Sequence, residues 1–276
     1  MTISTVWQRK FAGVDEIIFA SDSRLSAGYR WDCAQKIFPI EGPNFCISFA
    51  GHADFAFPCI FQFQCMVKNY PRFATGAAPI AVAAKDFLAI VNQLHELVDD
   101  RMLAQFHQTE FLLAGYDFFT GEMYGKSIRY DEETNIYKRF DLGGIKSGEV
   151  QATVGFAGDG YHEFFKGLGT KIAAQKTELN YQPLETLNDV ILQQDKYSTI
   201  GGNPQIVKVY RHRNFLPYAV RQNENAEVTL FGRPLLQYER TLYPVVSMDK
   251  VGKNDFVHYP MGATSRKQTQ PNSFEN

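Results

Sequence analysis

Thr2, Asp22, Lys36 and Gly51 supply the chemical types that a self-activating hydroxyl nucleophile needs. A small residue after Met1 permits removal of the initiator, leaving a threonine with both a hydroxyl and a free α-amine. Such an amine has a reference pKa of ~7.7–8.0, so it is a neutral base near physiological pH. It can activate the hydroxyl of its own residue, which is weak at its own pKa. The nucleophile also needs a cationic neighbour, a carboxylate to hold that cation, and a backbone N–H for the developing oxyanion. Lys36, Asp22 and Gly51 offer these three groups. Each has an ordinary reading too: a Met-Thr start is common, and Asp-Ser-Arg at a strand end is a common turn.

A second constellation lies downstream, where Gln194–Gly202 reads QDKYSTIGG. An Asp, a Ser three residues later and paired glycines between a helix and a strand make a helix-ending turn. The same residues could hydrogen-bond a terminal amine and orient it, with Asp195 and Ser198 as the two contacts.

The elements that would position these groups follow from periodicity. Ile17–Gly51 holds three apolar strand-like runs, Ile17–Ser21, Lys36–Ile40 and Phe45–Gly51. Alternation puts Ile18, Ala20 and Asp22 on one face, and Lys36, Phe38 and Ile40 on one face. An Asp and a Lys on such faces are costly to bury unless they pair. Thr2–Trp7 alternates as a first strand, and Gln8–Glu16 reads as a polar connection whose Gly13 and Val14-Asp15 suggest a hairpin into the central strand at Ile17. After Gly51 the period changes to about 3.6. A helix is predicted over about 55–70, capped by Asp54 with Pro58 in its first turn, and a second from Pro79 to about Leu103. Strands follow at Glu110–Tyr116, Glu122–Arg129, Ile136–Phe140 and Val150–Phe156. Helices over about 161–174 and after Pro183 come next, then a strand at Gln205–Tyr210. Strands in adjacent pairs, separated by helix pairs, predict an α+β fold: two antiparallel sheets stacked face to face in a four-layer αββα sandwich. No G-x-G-x-x-G follows a strand, which argues against a doubly wound sheet.

The chain has 276 residues, 45% hydrophobic and 21% charged, with a formal net charge of -2. That composition suits a globular protein with ample core and gives no electrostatic case for nucleic acid or an anionic membrane surface. No run approaches the ~18 apolar residues of a membrane span, and no secretory pattern opens the chain, so a cytoplasmic location is expected. Cys33, Cys46, Cys59 and Cys65 lack C-x-x-C spacing, and the six histidines are scattered. Reduced thiols, with no metal and no cofactor, are the expectation. Three regions are predicted: a main domain over 1–213, an extension with extra strands or a strap over 214–260, and a polar disordered tail over 261–276.

Taken together, these runs resemble the proteasome β-subunit-like family of N-terminal-nucleophile hydrolases, including its bacterial homologues. The resemblance covers Thr2 to about Arg211. It is carried by ASDSR-x-x-AG at Ala20–Gly28, K-I-x-P-I at Lys36–Ile40, Ala50-Gly51, and D-x-x-S followed by Gly-Gly at Asp195–Gly202. It implies Thr2 as nucleophile, Lys36 lowering the nucleophile's proton affinity, and Asp22 holding Lys36. It also implies Asp195 and Ser198 positioning the amine, Gly51 binding the oxyanion, and peptide hydrolysis through an acyl-enzyme on Thr2. Leu25, Ala34, Phe49 and Ala53 match the family's first specificity pocket and give it an apolar lining. The family also implies a homo-oligomeric ring or spiral acting on peptides or unfolded protein, to which an ATP-driven unfoldase could couple. The chain departs from the pattern in three places. Ala157-Gly158 stands where a Ser-Gly is usual, Thr199-Ile200 is inserted before the glycine pair, and Gln8–Glu16 is long. With Met1 alone before Thr2, aminopeptidase trimming is the expected maturation. Two other functions are compatible with the resemblance: a non-catalytic structural subunit, or an amidase on small non-peptide amides. Retention of Thr2, Asp22, Lys36, Asp195 and Ser198 argues against the first, and a closed oligomer would argue against the second.

Overall fold

Strands β1 (Ile3–Phe11) and β2 (Val14–Ser21) form a hairpin paired from Ser4↔Ser21 to Phe11↔Val14. The computed structural model describes residues 2–11, 13–26, 29–42, 44–99, 104–147, 150–175, 179–195, 198–212, 214–252 and 256–259. The expected hairpin is present, but most of 8–16 is strand on the two sides of a tight turn with Gly13 at φ 79° rather than a polar connection. Its polar residues are cross-strand partners: Gln8 donates to Asp15 at 2.9 Å, and Arg9 pairs with Glu16 at 3.0 Å. Charge alternation on a half-solvated hairpin looks like loop composition, yet satisfies the ladder.

The first sheet runs β13-β12-β11-β10-β2-β1-β9-β8, with β14 and β15 attached at β11. Its members are β8 (Gly144–Ser147), β9 (Val150–Gly158), β10 (Gln205–Tyr210), β11 (Asn214–Arg221), β12 (Thr229–Leu230), β13 (Arg233–Pro234), β14 (Val245–Ser247) and β15 (Val257–His258). The second sheet is a meander of β3 (Ile37–Ile40), β4 (Phe45–Ala50), β5 (Glu110–Tyr116), β6 (Met123–Asp131) and β7 (Ile136–Asp141). Pairing is antiparallel except for β14, which runs parallel to β11. Strands β11–β15 are therefore continuous with the first sheet, while the expected tail over 261–276 lies outside the described residues.

Helices α1 (Ala53–Asn69), α2 (Pro71–Ala74) and α3 (Ile80–Glu96) cover the second sheet, while α4 (Tyr161–Gln175) and α5 (Gln182–Gln193) cover the first. Strand alternation makes three apolar layers. Phe38, Phe49, Phe63 and Phe87 pack between α1–α3 and the second sheet. Val6, Phe19, Ile37, Leu112 and Val207 lie between the sheets. Trp7, Ile18, Phe164, Leu187 and Ile206 lie beneath α4 and α5. Ile17, Ile18, Phe19 and Ala20 are fully buried because β2 is covered on both faces, which accounts for its unbroken apolar run. Burying each large side chain contributes roughly 1.5–3 kcal/mol. No described helix is long and apolar enough to cross a membrane.

One helix start and one strand differ from expectation. His52, not Asp54, precedes α1, so Pro58 falls in the second turn and deprives the Asp54 carbonyl of its helical donor. The short strand β8 was not expected, because GIKS carries too little alternating apolar character to stand out.

Candidate active site

Asp22 is the centre of the site. It follows the last residue of β2 and is fully buried. Its Oδ1 accepts the Thr2 hydroxyl at 2.6 Å, the Lys36 Nζ at 2.8 Å and the Ile3 N–H at 3.2 Å. Its Oδ2 accepts the N–H groups of Gly201 at 3.0 Å and Arg24 at 3.2 Å. Five donors, one of them cationic, replace the water that a buried carboxylate loses. Thr2 and Lys36 meet on the same oxygen, so the Thr2 hydroxyl and the Lys36 ammonium share one small space. Burial pushes the Lys36 ammonium below the ordinary lysine range, with the Asp22 charge pulling it partway back.

Face alternation does not bring this pair together. Ile18 and Ala20 face α4 and α5, whereas Phe38 and Ile40 face α1–α3, on the two outer sides of the sandwich. Asp22 and Lys36 each lie one residue outside their strands. Freed from the pleat, both turn into the gap between the sheets. Gln205 fixes that departure: its amide donates to the carbonyls of Asp22 at 3.0 Å and Ala34 at 2.6 Å, and its oxygen accepts the Lys36 N–H at 3.0 Å.

Arg24 clamps the downstream constellation. Its guanidinium forms a two-point pair with Asp32 at 2.7 and 3.0 Å. Its remaining nitrogen donates to the carbonyls of Asp195 at 3.3 Å, Ser198 at 3.0 Å and Ile200 at 3.1 Å. Asp195 and Ser198 are thereby held near the Asp22 loop, and each takes part in a local side-chain bond. Asp195 accepts the Ser198 N–H at 2.9 Å, and the Ser198 hydroxyl donates to Gln194 at 2.6 Å. The inserted Thr199 reaches toward Thr2 instead. Its hydroxyl donates to Asp159 at 2.8 Å, and the Asp159 N–H donates to the Thr2 carbonyl at 2.9 Å.

Gly158 brings backbone close to Thr2, and Gly51 does the same for the chain before β5. Gly51 has φ 106°, and a Cβ there would sit 2.6 Å from the Gln108 carbonyl oxygen and Thr109 Cα. A Cβ on Gly158 would lie 1.9 Å from the Thr2 carbonyl oxygen and 2.8 Å from the Ala50 Cβ. Only glycine fits both positions. Glu110, at the start of β5, accepts the Gly158 N–H at 3.4 Å, and burial raises its carboxyl above the ordinary range.

Of the expected pocket residues, Leu25 and Ala34 are buried beside the Asp22 loop, with the Ala34 N–H donating to Ser23 at 3.0 Å. Phe49 is completely buried and packs edge-on against Phe57 at 5.3 Å, within the layer beneath α1. It is core, and a strand position next to the site could not distinguish the two. Ala53 is the first residue of α1 and packs on the same layer.

Arg24, Asp32, Asp159, Thr199 and Gln205 are the site residues that sequence reasoning missed. Arg24 stood within the ASDSR run, and the others carry no local signal. No protein-family model and no curated protein matches the chain.

Proposed function

We infer that the chain is a threonine peptidase of the proteasome-like N-terminal-nucleophile class, with the corresponding four-layer fold. The observation that carries this is the convergence of the Thr2 hydroxyl and the Lys36 ammonium on one buried Asp22 oxygen. A merely structural ion pair has no need of a hydroxyl at the second residue of the chain.

With Met1 removed, the Thr2 α-amine takes the hydroxyl proton and Oγ1 bonds to the substrate carbonyl carbon. Lys36, held by Asp22, favours the anionic oxygen, and the Gly51 N–H is the group assigned to the tetrahedral oxyanion. The intermediate collapses as the C–N bond breaks, and the leaving amine takes the proton held by the α-ammonium. One water, deprotonated by the α-amine, then attacks the ester. The acid departs and the proton returns to Thr2 Oγ1. Asp195 and Ser198 act through the Arg24 clamp, positioning the Asp22 loop.

Two parts of this assignment rest on the family resemblance: peptide as substrate, and a homo-oligomer enclosing the sites. The test is reaction with a threonine-directed electrophile. One adduct per chain at Thr2 is expected, with hydrolysis abolished in Thr2→Ala and retained in part by Thr2→Ser. Full activity in Thr2→Ala would assign the chemistry to another residue.

A further inference from the structure

Beside Thr2, β9 is unfinished along one edge. β1 pairs with it from Val154 to Gly158, but β8 covers the opposite edge only as far as Thr153. The last bond there runs from the Val154 N–H to the Gly143 carbonyl at 2.9 Å. The Asp159 N–H donates toward β1, so strand alternation turns the backbone groups of Phe156 and Gly158 to the uncovered side. Among the described residues, the Gly158 N–H meets only Glu110 there, at a long 3.4 Å.

Opposite this edge, Ala50, Glu110 and Arg129 stand in one cross-strand row of the second sheet. The row leads outward from the end of β4, where Gly51 lies. A cavity of about 340 Å³ lies at the Arg129 end of this row, with Arg129, Ser127, Gly155, Phe156 and Tyr161 in its lining. Arg129 is exposed and makes no ion pair among the described residues; its guanidinium lies 4.2 Å from the centre of the Phe140 ring. Asp141, the other charged lining residue, is already engaged by Lys126. The cleft thus offers the uncovered Phe156 backbone and an exposed guanidinium that makes no ion pair among the described residues.

We propose that this cleft binds the leaving half of an extended peptide, as a short strand added to β9, with the terminal carboxylate on Arg129. Strand addition supplies main-chain bonds, and a guanidinium is the side chain best shaped for a carboxylate. Two residues of extended chain span roughly 7 Å, the reach from Gly158 to Phe156. The favoured fragment is therefore short, about two residues, and cleavage falls near free C-termini. The inference rests on Thr2 being the nucleophile.

The experiment compares internally quenched peptides with two residues after the scissile bond, ending in a free carboxylate or in a carboxamide. For the unaltered protein, kcat/KM is expected to be about tenfold higher for the acid. In Arg129→Ala that ratio falls to one, Arg129→Lys restores part of it, and aminomethylcoumarin release from a blocked dipeptide is unchanged. Equal rates for acid and amide, or a preference that survives Arg129→Ala, overturn the proposal. Coumarin release with an acid-to-amide ratio of one removes the cleft alone. No turnover of any substrate, with no electrophile adduct at Thr2, removes the nucleophile assignment and the cleft with it.

Discussion

Asp22 carries more of this site than any other residue, because five donors converge on its two oxygens. Lys36→Met leaves it buried with four of them. Breaking such a pair costs about 3 kcal/mol, and removing the cation beside the nucleophile lowers kcat by about 10²–10³-fold. Urea denaturation and turnover of the same preparation would check both. Complete burial lowers the Lys36 pKa, so its proton is lost below the usual lysine range. A descending limb of kcat/KM is therefore expected below pH 10.5, and it should be absent in Lys36→Met. Glu110 shifts the other way: burial raises its carboxyl, so the ionised form costs folding stability as pH climbs above 4.5. Glu110→Gln should raise the melting temperature at neutral pH, and the gain should vanish below that value; an equal gain at every pH would exclude linkage as its cause. At this scale the sequence was informative about types. An Asp and a Lys beside apolar runs had to pair. Arg24 and Gln205 were silent, because a long side chain's destination depends on elements some 170 residues away.

The elements fix the geometry by where they stop. Asp22 and Lys36 each sit one residue outside a strand, so their side chains can leave the pleat and meet. Strand ends are what periodicity locates least well, which is why the pairing was legible and its route was not. β2, β5 and β10 were readable because apolar runs bounded by turns have few alternatives. The strand pairing beyond Trp7 was obscured by its cross-strand charge pairs. Gly51→Ala tests the strand exit directly. A side chain at φ 106° with a Cβ 2.6 Å from two backbone atoms should cost about 2–3 kcal/mol and cut kcat more than it raises KM. An unchanged melting temperature with normal kcat would mean that the β4 exit is not the constraint described.

Across the whole molecule, the C-terminal strands are part of the same body as the site. β11 completes the first sheet, and Tyr218, Val220, Val246 and Met248 are buried beneath α4 and α5. A Cβ on Gly232 would come within 2.4 Å of the Ser23 Cβ, so this region presses on the loop that carries Asp22. A chain ending at Arg213 should be insoluble or lack cooperative unfolding, because β10 would lose β11 and become an open edge, and the layer would lose its apolar cover. A folded, active truncation would make residues 214–259 an accessory. The extra strands were foreseeable from their apolar content; their continuity with the sheet was not, since register between distant strands leaves no local trace. The most direct measurement is the intact mass of active protein before and after treatment with a threonine-directed electrophile, with the adduct mapped by peptide. The expected result is a chain beginning at Thr2 that gains one adduct on that residue as hydrolysis stops. A chain that keeps Met1 and still cleaves peptides would contradict it.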